Sequence, residues 1–257
     1  LANYYDRDIR ALEARLSHDP KAIGKKLQQE VSRQKSIRDD LLRKSIPIWQ
    51  AVLTVSKDNP YALAGLSKAY LVTGQTDTGI YYAERYVELS RKSQKGWREK
   101  LKEWEKMMGR EVTTEQRDFY LKKIHGAREK EIGMLLLLGA THMRREEFSK
   151  AVENYDSVLT LDPARVAALV ERAQGYAALA MYDQAVKDLE KYLKLTDPRK
   201  HREARISAAD LLDRYQRLAG RQSIRPAFPP AAPRAPAVAP PPAPAPAPTT
   251  ASGSPDG

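Results

Sequence analysis

Two consecutive copies of a 34-residue unit fill residues 132–195, and this period restricts the fold more than any other feature of the chain. Small residues of one copy fall on small residues of the other, and large apolar residues mostly fall on large ones. A fixed period of this length is typical of stacked helical repeats. The matched pairs are Gly139 with Ala173, His142 with Tyr176, Phe148 with Tyr182, Ala151 with Ala185, Val158 with Tyr192 and Leu161 with Leu195.

A third, more degenerate copy begins at Asn59–Pro60 and matches the first strong copy at an offset of 72 residues. The match is weakest at Thr76, which falls where Phe148 stands in the later copy. The offset leaves residues 94–131 between the recognisable units, and we expect them to form an irregular helical hairpin whose second helix runs into the next repeat. The matched pairs are Leu66 with Leu138, Tyr70 with His142, Gly79 with Ala151, Tyr86 with Val158 and Leu89 with Leu161.

The two strong copies resemble the tetratricopeptide repeat (TPR) family of helix-turn-helix units. The residues that carry the resemblance are Leu138 and Gly139, Phe148, Ala151, Tyr155, Leu161 to Pro163, Tyr176, Tyr182 and Ala185. The resemblance implies a helical solenoid that serves as a protein-binding scaffold, and we expect a bacterial origin for the chain.

The expected fold class is therefore all-α, a TPR-type solenoid with irregular N-terminal helices, a C-terminal capping helix and a Pro/Ala-rich tail. No alternating apolar run indicates a strand. The expected division is 1–59 for N-terminal helices packing on the solenoid, 60–93 for the degenerate repeat, 94–131 for the irregular hairpin, 132–165 and 166–195 for the clear repeats, 196–220 for the capping helix and 221–257 for the tail.

Local signals refine both ends of this division. Tyr5, Ile9, Leu12 and Leu16 predict one apolar helix face near the start. Pro47 is expected to begin or kink a shorter helix. For the capping helix we expect an apolar side formed by Ile206, Leu211, Leu212 and Tyr215. The tail holds 12 of the 17 prolines, and its composition predicts disorder with polyproline II character. It would serve as a tether, or as a ligand for a proline-recognising domain.

The net charge of +11 is concentrated outside the best repeats. Residues 91–130 carry 13 Lys and Arg against 7 Asp and Glu, whereas 131–163 carry 3 against 6. Bases and acids interleaved at helical spacing favour a solvated helix face. The alternative is a basic surface that binds nucleic acid or another acidic polymer.

The sequence offers no constellation for catalysis, cofactors or metals. Cysteine is absent, which excludes thiolate ligands and cysteine nucleophiles. The four histidines are far apart, and His142 takes a place that tyrosine fills in the other copies, which favours a packed structural role. Trp97 and Trp104 share a helix face, which indicates core packing or a partner-facing strip. The longest apolar run, 132–140, is about half of a membrane-spanning helix.

The TPR resemblance places a partner-binding surface on the first helix of each repeat. Its residues would be Tyr61, Ala64, Lys68 and Leu71 in the first unit, Gly133, Leu136, Ala140 and Met143 in the second, and Ala167, Val170, Gln174 and Ala177 in the third. Only Lys68 fits the carboxylate clamp of chaperone-binding relatives. A groove of small apolar residues suits an amphipathic helix or an extended apolar peptide, unless the chain's own N-terminal helices fill it.

We therefore expect a non-enzymatic scaffold that binds a protein or peptide without cofactors. An electrostatic binder of nucleic acid through residues 91–130 is the alternative, and repeats that serve self-association are a third. The start at Leu1 and the Pro/Ala tail favour an exported or periplasmic protein. Such a protein could be attached to a lipid through residues upstream of Leu1. The alternative is a cytoplasmic protein.

Overall fold

The structure, a computed structural model, describes residues 24–108 and 114–224 together with Ile9, Leu12 and Glu13. Within these ranges the chain is helical and contains no strand, which confirms the all-α prediction. The N-terminal apolar stripe beyond Ile9 and Leu12, and the tail from 225, lie outside the described residues. The helices are α1 (Gly24–Val55), α2 (Pro60–Val72), α3 (Thr76–Met108), α4 (Thr114–Arg144), α5 (Phe148–Leu161), α6 (Ala167–Ala178), α7 (Tyr182–Leu195) and α8 (Arg202–Ile224).

Each helix packs against the next one along the chain, and α4 also contacts α6. This arrangement makes three consecutive hairpins, α2–α3, α4–α5 and α6–α7, closed by α8. One hydrophobic core runs through them from Leu63 on α2 to Tyr215 on α8. An array in which every helix buries its apolar face against its neighbours is a helical solenoid.

The turns inside the three hairpins reproduce the sequence offsets of 72 and 34. Gly74, Glu146 and Ala180 occupy equivalent places and all have positive φ, at 90°, 59° and 58°. The residue after each of them donates its N–H to the carbonyl five positions earlier, at 2.8–2.9 Å. This is the left-handed helix ending for which glycine is the residue of choice, and only the first copy has glycine there.

The long helices α3 and α4 account for the larger offset between the first two repeats. Helix α3 has 33 residues against 14 in α7, and α4 has 31 against 12 in α6, so each is longer by 19. Two extensions of 19 make up the 38 residues by which 72 exceeds 34. At 1.5 Å per residue each extension adds about 29 Å. No helix of the described ranges is long and apolar enough to span a membrane.

The expected division of the chain falls differently from these helix ends. Its boundaries after residues 93 and 131 lie inside α3 and α4, so residues 94–131 are the outer ends of two continuous helices and not a unit between turns. Of the two alternatives for Pro47, that it begins a helix or kinks one, the first is wrong, because α1 continues through it. Residues 109–113, between α3 and α4, lie outside the described residues.

The solenoid is covered at both ends by further helices. Gln50 of α1 donates from Nε2 to the Tyr70 hydroxyl at 2.8 Å, and Asn59 caps α2 by accepting from the N–H groups of Tyr61 and Ala62. At the other end α8 buries Ala208 and Tyr215. Ile206, expected on the apolar side of α8, is 54% exposed, since Ala208 occupies the buried position.

Consecutive helices approach closely at glycines. A Cβ added to Gly139 of α4 would lie 2.7 Å from Cε1 of Tyr155 on α5. Tyr155 is itself only 1% exposed, and burial raises the pKa of its hydroxyl. The ring therefore has no free space into which it could move.

We expect Gly139→Ala to destabilise the protein by up to about 2 kcal/mol. Overpacking against Tyr155 costs roughly 1–3 kcal/mol, and it outweighs the ~1 kcal/mol that alanine contributes over glycine inside a helix. Urea denaturation followed by circular dichroism measures the difference. Gly133→Ala on the same helix is the matched control, since nothing lies within 4 Å of its Cβ, and it should raise stability. Equal shifts for the two variants would contradict the packing argument.

Candidate partner-binding surface

The residues predicted to bind a partner lie on the first helices of the three hairpins. Tyr61, Ala64, Lys68 and Leu71 lie on α2, Leu136, Ala140 and Met143 on α4, and Ala167, Val170 and Gln174 on α6. Because α4 and α6 contact each other directly, their six residues belong to one surface. We call these residues, with Gly133 and Ala177, the groove.

Exposure divides the groove residues into two groups. Tyr61, Gly133, Ala140 and Ala167 are exposed, and Tyr61 reaches 67%. The other groove residues are half-buried. The surface thus combines open small side chains with half-buried apolar ones that reach into the core.

Two of the predicted residues also support the packing of neighbouring helices. Leu71 lies against Gly79 of α3, where an added Cβ would be 2.6 Å from its Cγ. Met143 packs against the core, and its Sδ is 3.6 Å from the position of a Cβ at Gly175 of α6. Both side chains are therefore constrained by contacts within the chain.

The chain's own α1 does not cover the α4 and α6 part of the groove. Helix α1 packs on α2, with Trp49 against Gly65, and makes no extensive contact with α4 or α6. Within the described ranges, Ala140 and Ala167 face solvent. The groove is therefore open at these two alanines.

Arg172 fixes the position of α6 against α5 and α7. Its Nε and Nη2 donate to the two carboxylate oxygens of Asp188 at 2.7 and 2.6 Å, and its Nη1 donates to Asp156. The guanidinium also lies 5.6 Å from the ring centroid of Tyr176. The Asp188 bonds hold the pKa of Arg172 above its usual value, although burial opposes this. Because the Arg172 guanidinium is bound by carboxylates from both α5 and α7, it fixes the positions of these two helices and α6 along one another.

Glu131 makes the corresponding polar contact at the start of the groove part of α4. It is 1% exposed, and its carboxylate accepts from Nε of Arg91 at 2.8 Å and from Nε2 of Gln94 at 2.5 Å, both on α3. Sequence reasoning did not single out this residue. The signal available was a lone carboxylate at the head of the longest apolar run, 132–140.

His142 is buried between α4 and the following turn. Its Nδ1 lies 2.8 Å from Oε2 of Glu147, which also accepts from Lys150. Partial burial alone would raise the pKa of Glu147, but the bonds with His142 and Lys150 outweigh it and lower this pKa. Across the described residues, no three His, Asp or Glu side chains come together as metal ligands would.

A concavity of about 490 Å³ lies between α3 and α5. Its floor includes Leu135, Leu138 and His142 of α4, which at 100° per residue point away from Ala140. These floor residues are only 2–3% exposed. A ligand there would bury little additional apolar area, so the groove is the better candidate for a partner.

No protein-family model matches the chain. Among solved structures it is similar to a crystal structure of MamA protein, with 20% sequence identity, coverage of 66% of this chain and 94% of that chain, and a TM-score of 0.29. It is also similar to the crystal structure of the P58(IPK) TPR domain, with 17% identity, coverage of 87% and 67%, and a TM-score of 0.33. Both TM-scores are low, and the repeat architecture rests on the helix and turn register of the chain itself.

We expect Arg172→Met to destabilise the protein by about 3 kcal/mol, because it leaves the 8%-exposed Asp188 carboxylate without its partner. Chemical denaturation measures the change in the free energy of unfolding.

Arg217→Met is the matched control for this variant. Arg217 pairs with Asp213 on the surface at 3.8 Å, and both side chains are more than 70% exposed, so the loss should be below about 0.5 kcal/mol. If Arg172→Met lowers the free energy of unfolding as little as Arg217→Met does, the hydrogen bonds of Arg172 do not hold α6 in place.

Proposed function

We propose that the protein is a non-enzymatic scaffold that binds a protein or peptide on the groove. The proposal joins the family resemblance of residues 132–195 to the open part of the groove on α4 and α6. Binding would need no bound cofactor, since the contacts on offer are apolar side chains and a few polar ones. In this role the chain binds its partner and catalyses no reaction.

The observation that carries the proposal is the exposure of Ala140 and Ala167 on two helices in direct contact. Small exposed side chains let a partner backbone or helix approach the scaffold closely. Half-buried Leu136 and Val170 lie beside them and supply apolar contact area. A surface of this composition suits the apolar face of a helix or alternate side chains of an extended segment.

We expect the double variant Ala140→Arg, Ala167→Arg to lose its partners while it keeps its helicity and thermal midpoint. Both sites are exposed, so arginine can be accommodated by the fold but obstructs the approach of a partner. The measurement compares proteins cross-linked to wild type and to the variant in extracts of the source cells, quantified by mass spectrometry. A reduction of about tenfold in the amount of a cross-linked partner corresponds to ~1.4 kcal/mol of lost binding free energy.

The same substitutions on the capping helix provide the control. Ala204→Arg, Ala209→Arg also adds two charges at exposed alanines, but it lies outside the groove. This control should retain the partners of wild type. Recovery of the same proteins by all three forms would refute the groove as the binding surface.

A further inference from the structure

We infer that the partner of the groove carries an acidic segment next to its apolar one, and that the acidic segment binds a row of lysines on the outer parts of α3 and α4. This inference rests on the proposed function and adds the chemistry of the partner. It follows from the way in which α4 continues beyond the repeat as one helix of 31 residues.

A strip of exposed residues on α4 runs from the groove into the extension. Stepping back from Ala140 and Gly133 by three or four residues gives Lys130, Gly126 and then Lys123. At 100° per residue, Lys130 and Lys123 lie about 80° and 100° around the helix from Ala140, so the strip winds by about a quarter of a turn. Ala140, Gly133, Lys130 and Lys123 are all exposed. The strip is therefore small and apolar along the second half of α4 and basic along the first half.

Aromatic rings accompany the lysines along this face. Nζ of Lys130 lies 5.2 Å from the ring centroid of Tyr61, which is itself a groove residue. Nζ of Lys123 lies 5.4 Å from the ring centroid of Phe119. Tyr61 therefore joins the basic part of the surface to the groove, and the two parts form one continuous surface.

A third contact extends the row to α3, where Nζ of Lys100 lies 5.2 Å from the ring centroid of Trp97. The Trp97 ring in turn packs edge-on against Phe119, with centroids 6.5 Å apart. We call the set Lys100, Lys122, Lys123 and Lys130 the lysine row.

The lysine row borders a cleft of about 220 Å³ between α3 and α4. Ser90, Ser93 and Ala127 line the cleft, and Lys122, Lys123 and Lys130 stand around it. Among the described residues no carboxylate forms an ion pair with any member of the row. The three lysines around the cleft, which have no acidic partner in the described part of the chain, are complementary to carboxylates of a ligand.

Continuity with the groove favours a protein segment over other polyanions. Lys123 and Ala140 are 17 residues apart, or about 26 Å along the helix, which an extended segment of about eight residues spans. A nucleic acid would meet the lysines but gain little from Ala140 or Leu136. The rings of Phe119 and Tyr61 already carry an ammonium group over one face, which leaves less of them for base stacking.

The test measures binding of a fluorescent synthetic peptide to the full chain by anisotropy. The peptide joins about four glutamates, enough to run from Lys123 to Lys130 when extended, to about five Ala and Leu residues that reach Ala140. Both block orders are used, together with a peptide of the Ala/Leu block alone. Lys123→Glu, Lys130→Glu should weaken binding of the acidic peptide by about tenfold or more in at least one order, with the loss reduced by added salt.

Lys187→Glu, Lys191→Glu on the exposed side of α7 makes the same change in net charge away from the row. It should leave affinity within about twofold of wild type. The inference is supported if only the row variant loses the acidic peptide while the Ala/Leu peptide is unaffected by it. Equal losses for the two charge variants would overturn the inference, since net charge alone would then explain binding.

Three further outcomes overturn the inference in distinguishable ways. If Ala140→Arg weakens the acidic peptide and the row variant does not, the acidic segment is wrong while the groove stands. If neither variant matters, both the inference and the groove fail. If oligothymidylate or phosphatidylserine vesicles bind more tightly than the peptide with the same dependence on the row, the ligand is a nucleic acid or a membrane surface instead.

Discussion

The close approach of consecutive helices at glycine is the constraint on which the solenoid depends. The interfaces α1–α2, α2–α3, α4–α5 and α5–α6 each have a glycine where a Cβ would come within 2.6–2.8 Å of a neighbouring side chain. Large residues fill the space that each glycine leaves, so helix separation is set by pairs such as Gly65 with Trp49 and Gly139 with Tyr155. Dispersion contacts fall off steeply with distance, and a wider separation at one interface would loosen the core on both sides of it.

Polar contacts add a fixed register to this apolar packing. Arg172 and Glu131 are buried or nearly so and are satisfied by side chains from neighbouring helices. Burying an ion pair is costly and contributes little net stability. Its effect here is directional, because a helix that slides by one turn would leave the buried partner of Arg172 or Arg91 unpaired. Apolar packing sets the distance between neighbouring helices. The ion pairs of Arg172 and Arg91 set the position of each helix along the axis of its neighbour.

The repeat register was predictable from sequence because it reflects contacts that recur. The offsets of 34 and 72 found in the residues are the offsets of the three left-handed turns. The continuity of α4 into the next repeat was expected from the sequence, but the continuity of α3 past residue 93 was not. Residues 94 and 131 mark where the repeat pattern stops, but nothing there ends a helix, and an isolated Gly96 is tolerated inside one. Pro47 likewise sits inside α1.

The candidate site shows the same division between local pattern and three-dimensional arrangement. Spacing placed Ala140 and Ala167 on the right helices, whose contact is visible only in the fold. The pairing of Lys130 with Tyr61 joins residues 69 positions apart, and no pattern within either segment indicates it. Ile206 was assigned to the wrong side of α8 because its helix phase is set by packing of Ala208 and Tyr215 on α7, not by its own hydrophobicity.

The extension of α3 and α4 changes what a repeat groove can recognise. In a repeat of ordinary length the first helix ends where its neighbours end, so a bound segment meets only the groove. Here α4 continues about 29 Å further, and its exposed residues change from small apolar ones to lysines near residue 130. The two extensions hold each other through Trp97 on α3 and Tyr120 on α4, whose ring centroids are 6.0 Å apart. Because the basic part and the apolar part share one continuous helix, their spacing along it is fixed, and a partner bound as proposed would have to match both the order and the distance with its own acidic and apolar segments.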